Sequence, residues 1–130
     1  MTIDTEYLKI ILDKFIKSET NFITTDIFKE MINEELEKFA FHWDLLNDKF
    51  LIVNTQGGTH SIISHGFNGH SIVLGAKVRL HDNGHQFYDM LCDDTAVSKI
   101  VEGSKGLSID LLFEASKHYM NYKLENMFSS

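Results

Sequence analysis

Helical periodicity at both ends of the chain, with a glycine-rich run of strand-forming residues between them, predicts an α+β fold. A third observation sets the middle run apart. From Lys49 through His81, 33 consecutive residues hold no aspartate or glutamate, so all 19 carboxylates lie elsewhere. That stretch carries five of the eight glycines and four of the seven histidines, His60, His65, His70 and His81, together with Lys49, Lys77 and Arg79. Strands and turns are poor in Asp and Glu on their own account. On a chain of net charge −7 the segregation still creates one less acidic side.

The elements follow in order. Tyr7, Leu8, Ile11, Leu12, Phe15 and Ile16 recur at steps of three and four with Lys9, Asp13, Lys14 and Lys17 between them, which predicts a first helix. Asn21 to Thr25 reads as a connection in which Thr24 or Thr25 caps a short second helix bearing Ile27, Phe28, Met31 and Ile32. Asn33 is the expected cap of a third, with Glu34, Glu35 and Glu37 at the positive end of its macrodipole and Leu36, Phe39, Ala40, Trp43 and Leu46 as its apolar stripe. Phe50 to Val53 then turns strand-like. Ser61 to Ser64, the turn Gly66-Phe67-Asn68-Gly69 and Ser71 to Leu80, with a bulge at Gly75, read as a β-hairpin. Asp82 or Asn83 is the expected cap of a fourth helix running to Gly103, and Ser108 of a fifth with Leu112, Ala115, Tyr119 and Tyr122 toward the core.

At 130 residues and 43% apolar, the chain is long enough to close one core without a metal or disulfide. A single domain over 1–130 is expected. Cys92 is the only cysteine, which excludes an internal disulfide and suggests a small buried hydrophobe in a reducing, cytoplasmic setting. Asp4 and Glu6 near the start are not those of a basic leader, and no apolar run reaches the ~18 to 20 residues of a membrane span.

Three helices, a strand and a hairpin in that order are the organisation of a winged helix. The fold class expected is therefore α+β, a winged-helix core over 1–81 whose hairpin is the wing, with a two-helix C-terminal extension over 82–130 packed on it. The run Arg79-Leu80-His81-Asp82-Asn83-Gly84-His85-Gln86-Phe87-Tyr88-Asp89, followed by Asp93-Asp94-Thr95, resembles the signature of a family of small bacterial and phage proteins related to YjcQ. Phe41-His42-Trp43-Asp44-Leu45-Leu46 and Phe50-Leu51-Ile52 resemble that family's third helix and following strand. Here His81 stands where the family has a capping threonine, and Tyr88 where it has leucine, so the cap is expected to pass to Asp82. The resemblance implies a winged-helix fold in a bacterial or phage protein and no established activity.

The side chains do not assemble a reaction centre. His81 and His85 are spaced i, i+4, but their spacing to the other histidines fits no metal motif, so no metal and no cofactor is expected. Ser64-His65 and His70-Ser71 are strand neighbours that point to opposite faces, and Gly66 to Gly69 lacks the Lys-Ser/Thr of a phosphate loop, so an enzyme is not expected. The function expected is regulatory binding of nucleic acid through the wing, with Lys38, His42, Lys49, His60, His65, His70, Lys77 and Arg79 as its contacts. The alternative is a protein-interaction module. Its contact is the surplus apolar set of the last helix, Phe113, Met120, Leu124, Met127 and Phe128, as a homodimer face, or the acidic face of Glu34, Glu35, Glu37, Asp44 and Asp48 offered to a basic host protein.

Overall fold

The structure, a computed structural model, describes residues 1–57, 63–66, 69–72, 74–102 and 107–128, with the backbone alone for 63–66, 69–72, Met120, Tyr122, Asn126 and Phe128. The expected α+β class is what it shows. In chain order the elements are α1 (Thr5–Ile16), β1 (Ile23–Thr24), a 3-10 turn (Thr25–Phe28), α2 (Lys29–Glu34), α3 (Leu36–Asp48) and β2 (Ile52–Asn54). Then come β3 (Ile63–Gly66), β4 (Gly69–Ile72), β5 (Lys77–Leu80), α4 (Asp82–Leu91), α5 (Asp94–Glu102) and α6 (Ile109–Phe128).

Asp4 starts α1 by accepting from the Tyr7 N–H, and the helix buries Tyr7, Leu8, Ile11, Leu12 and Phe15 as its spacing predicts. Those residues meet Phe28 and the α3 stripe in one aromatic cluster. Phe15, Phe28, Phe39 and Trp43 have ring centroids 5.4 to 6.4 Å apart, and each fully buried large apolar side chain is worth roughly 1.5–3 kcal/mol.

The strands form two small sheets. β5 is the centre of a three-stranded antiparallel sheet of order β1-β5-β2, in register Ile23 with Val78 and Ile52 with Leu80. β3 and β4 pair separately, His65 opposite His70 and Gly66 opposite Gly69, and β4 also lies against α3. The single strand expected over Ser71 to Leu80 is therefore two, divided at Leu74 and Gly75, where Gly75 takes φ +82 and serves a turn rather than a bulge. β1 was not legible, because two residues cannot display an alternation. It is held by Thr25, expected as a helix cap but in fact fully buried: its N–H donates to the Ala76 carbonyl and its Oγ1 accepts from the Ala76 N–H.

Other local signals resolve differently from the expectation. Asn33 lies inside α2, and the break falls at Glu35, whose non-helical backbone (φ −144, ψ 67) starts α3 without a side-chain cap. The expected fourth helix is two, because Asp93 interrupts it and its Oδ1 accepts from the Ala96 N–H, starting α5. Among the described residues, the segment after β5 thus has three helices rather than two. Ser108 caps α6 as expected, its Oγ accepting from Leu111 N–H.

The helix start after β5 explains the Gly-His run. His81 is itself the N-cap of α4: its Nδ1 accepts from Asn83 N–H, and its own N–H donates to the Leu51 carbonyl at 3.0 Å, so Asp82 is not needed as a cap. Gly84 is buried one turn on, and a Cβ there would stand 2.4 Å from Leu51 O. Only glycine lets α4 lie this close to the chain entering β2. Tyr88 OH donates to Asp13 Oδ1 at 2.7 Å and fixes α4 to α1, while α4 packs on α6 from its other side. Cys92, expected to be buried, is exposed at the α4–α5 junction.

Candidate functional site

Among the described residues, those expected to contact nucleic acid, Lys38, His42, Lys49, Lys77 and Arg79, are spread over separate elements. His42 is fully buried: its Nε2 accepts from Asp4 N–H at 2.9 Å, and its Nδ1–H donates to the Lys38 carbonyl at 2.8 Å. Two acceptor-donor contacts of that kind fix a neutral imidazole, and burial first of all holds its pKa below the ordinary histidine value. His42 is a core histidine joining α3 to the start of α1. Lys38 is paired with Asp4 at 3.0 Å and Glu35 at 3.7 Å and lies over the Tyr7 ring. Lys49 forms an ion pair with Asp110 that joins the end of α3 to the start of α6.

Lys77 and Arg79 do share one face of β5, two residues apart, with Val78 and Leu80 buried on the other. Lys77 is exposed, its ammonium 5.2 Å from the centroid of the Phe22 ring. Arg79 is half-buried, one guanidinium nitrogen reaching the turn at Gly57, and with His85, Asp82, Phe15 and Ile16 it lines a mixed polar and apolar cleft of about 560 Å³ at the end of α1. The Asp82 carboxylate in that cleft offsets the Arg79 charge. His60 and the side chains of His65 and His70 lie outside the described residues. Among the described residues no group of three or more His, Cys, Asp or Glu could hold a metal ion, and no helix is long and apolar enough to cross a membrane.

A concavity larger than that cleft lies elsewhere, between the last three helices. It has a volume of about 690 Å³, within the ~300–1,000 Å³ of sites that bind drug-sized ligands or side-chain clusters. Met90 of α4 forms the floor, Ala96, Lys99 and Ile100 of α5 one wall, and Ala115, His118, Tyr119, Lys123 and Met127 of α6 the other. The walls are set by Asp93. Besides capping α5, its Oδ2 accepts from Tyr119 OH at 3.0 Å, so one carboxylate positions both helices. The Ala96 N–H and then the Tyr119 hydroxyl hold the Asp93 carboxyl below its usual range, and it is ionised at neutral pH. Burial, then the adjacent Asp93 charge, pushes the Tyr119 phenol up, so it stays a neutral donor.

The α5 wall is unusual in its energetics. Its apolar face, Ala96, Val97 and Ile100, is at most half-buried and none of its nine residues is buried. A nine-residue helix is marginal on its own, and this one depends on that partial packing against the core and on the Asp93 cap. Exposed Met127, one of the five surplus apolar residues expected to meet a partner, lines the groove, and Leu124, another, is exposed on the same helix. Phe113, a third, packs against the core with Lys117 4.4 Å from its ring centroid, and the side chains of Met120 and Phe128 lie outside the described ones.

Sequence reasoning placed Leu124 and Met127 on a contact surface but missed Ala96, Lys99, Ile100, His118 and Lys123. The signal was present: Ala96, Val97 and Ile100 follow Asp93-Asp94-Thr95, a cap pattern that restarts the helical phase there. No family model, curated protein or solved structure matches the chain.

Proposed function

We propose that this protein is a non-enzymatic winged-helix module that binds a partner protein through the α4–α5–α6 groove. Support for the fold reading is the order α1, β1, α2, α3, β2, hairpin, β5, the sheet order β1-β5-β2, and the resemblance of the Gly84-His85 run to proteins related to YjcQ. Its wing carries an extra pairing, β3 with β4, turned against α3. A third helix that buries Phe39, His42, Trp43 and Leu46 and meets its own wing is poorly placed to enter a DNA groove. Glu37 in its first turn opposes phosphate as well.

The observation that carries the protein-partner reading is α5. An amphipathic helix kept half out of the core, walling an apolar groove beside exposed Leu124 and Met127, is what a helix awaiting a partner looks like. A second reading, nucleic acid at β5, has one observation in its favour, the shared face of Lys77 and Arg79.

Two measurements separate them. Immobilised protein retains a partner from a bacterial lysate; the groove-filling variant Ala115→Trp releases it, and the double variant Lys77→Ala/Arg79→Ala does not. Fluorescence anisotropy against mixed-sequence duplex DNA shows no salt-sensitive binding at tens of micromolar. Salt-sensitive DNA binding that Lys77→Ala/Arg79→Ala removes would overturn the reading in favour of the second.

A further inference from the structure

We propose that His42 and Asp4 form an acid-released clasp that holds residues 1–4 and the opening turn of α1 against α3. The clasp makes no use of the groove. His42 is fully buried, and both of its ring nitrogens are committed to backbone: Nε2 accepts from Asp4 N–H at 2.9 Å, and Nδ1–H donates to the Lys38 carbonyl at 2.8 Å. A backbone N–H can only donate, so Nε2 must carry its lone pair there. A proton on Nε2 turns that acceptor into a donor, and two N–H groups then face each other across one contact. The Asp4 to His42 bond cannot survive protonation. Nδ1–H keeps its own bond, which leaves the ring anchored to α3 and directs the change toward the start of α1.

Asp4 is the hinge of this arrangement. Its Oδ1 caps α1 by accepting from Tyr7 N–H, its Oδ2 pairs with Lys38 at 3.0 Å, and its carbonyl accepts from Leu8 N–H. Burial most strongly opposes a charge on the His42 ring; of the charged groups that face it, Asp4 favours the proton and Lys38 opposes it. Tyr7 and Phe41 lie against the ring with centroids 4.9 and 5.1 Å away, and Glu35 is 3.7 Å from the Lys38 ammonium. The carboxylate that can accept from a protonated Nε2 is that of Asp4, and engaging it takes the cap from Tyr7 N–H. Among the described residues little else retains the segment: Met1 and Thr2 are exposed, and Ile3 is only partly buried. Release also returns to water the Tyr7 hydroxyl, buried without a partner among the described residues, which offsets part of the lost bonding. Once open, the ring regains an ordinary histidine value of about 6.5, so each pH unit below that raises the open fraction by up to about tenfold.

The test is amide hydrogen exchange by NMR on the full chain between about pH 7.5 and 5.5, with protection corrected for intrinsic rates. The Tyr7 and Leu8 amides exchange through a local opening, at least about tenfold less protected than Trp43 in the core. Their protection falls by up to about tenfold between pH 6.5 and 5.5. In His42→Gln, whose side-chain carbonyl can accept from Asp4 N–H but does not titrate, that fall disappears. In the wild-type protein the imidazole nitrogen shifts of His42 move over the same pH range as the Tyr7 and Leu8 amides, a comparison that holds even if the variant does not fold. Tyr7 and Leu8 protection equal to that of Trp43 would mean that the segment leaves only with the whole fold, and would overturn the clasp. So would protection that stays flat with pH, an undiminished fall in His42→Gln, or amide changes whose midpoint lies apart from that of the ring.

Discussion

Replacing Gly84 by alanine should destabilise this protein although the position is helical, where alanine is ordinarily better than glycine by roughly 0.5–1 kcal/mol. A Cβ at Gly84 would stand 2.4 Å from the Leu51 carbonyl oxygen, 3.1 Å from Leu80 Cδ2 and 3.3 Å from the Leu51 carbonyl carbon. The Leu80 methyl can rotate away. The Leu51 carbonyl cannot, because it accepts from His81 N–H at 3.0 Å and belongs to the backbone that enters β2. α4 must therefore withdraw by most of an ångström. Forcing a methyl into a packed site costs about 1–3 kcal/mol, and stretching the His81 to Leu51 hydrogen bond adds roughly 0.5–1.5 kcal/mol. Set against the propensity gain, the net loss is about 1–3 kcal/mol. Urea unfolding followed by Trp43 fluorescence reads it as a midpoint lowered by roughly 1 M at the usual slope. Gly75→Ala is the control: no atom stands within 4 Å there, and only the strain of its φ of +82 is at stake. A Gly84→Ala protein as stable as wild type would refute the close approach of α4 to β2.

Three further outcomes follow from the same structure. Burial lowers the His42 pKa in the fold, so the folded state binds fewer protons than the unfolded chain; the stability this contributes is fully present above the unfolded value near 6.5 and is lost as pH falls through the folded value. Unfolding free energies measured from pH 7.5 to 5 should decline, and less steeply in His42→Gln. The Tyr7 hydroxyl is buried without a hydrogen-bond partner among the described residues, and burial, helped by Glu35, Glu34 and Asp4, pushes its pKa up to about 12. Tyr7→Phe removes that unpaired group, so its melting temperature should equal or exceed wild type, where loss of a paired hydroxyl would cost about 1 kcal/mol. Phe50 follows α3 with φ +56 and is 55% exposed. Phe50→Gly should be more stable than Phe50→Ala by about 1 kcal/mol in urea, both having lost the ring but only glycine being at ease in the left-handed region.

What could be read from the sequence was what repeats within a single element. The three- and four-residue spacing of Tyr7 to Phe15 and of Phe39 to Leu46 located α1, α3 and their shared core, and Ser108 marked the start of α6 because a cap acts on its own next turn. Partners distant in sequence were invisible. His42 looked like a surface cation because nothing in its neighbourhood reveals the Asp4 N–H that it accepts from, 38 residues away. Lys49 looked free until Asp110 was brought beside it. Thr25 and Ala76, 51 residues apart, close a strand too short to show a pattern. The groove fell between these cases. Leu124 and Met127 were visible as apolar surplus on one helix, but the facing wall required knowing that Asp93 ends one helix and positions two others.

The most direct test of the account places a photoactivatable benzophenone side chain at position 118, on the groove wall, and at position 30, on exposed α2, and irradiates each protein in lysate. The account predicts a discrete polypeptide adduct from position 118 that is absent from position 30 and disappears in the Ala115→Trp background. Equal adducts from both positions, or an adduct at 118 indifferent to Ala115→Trp, would contradict it.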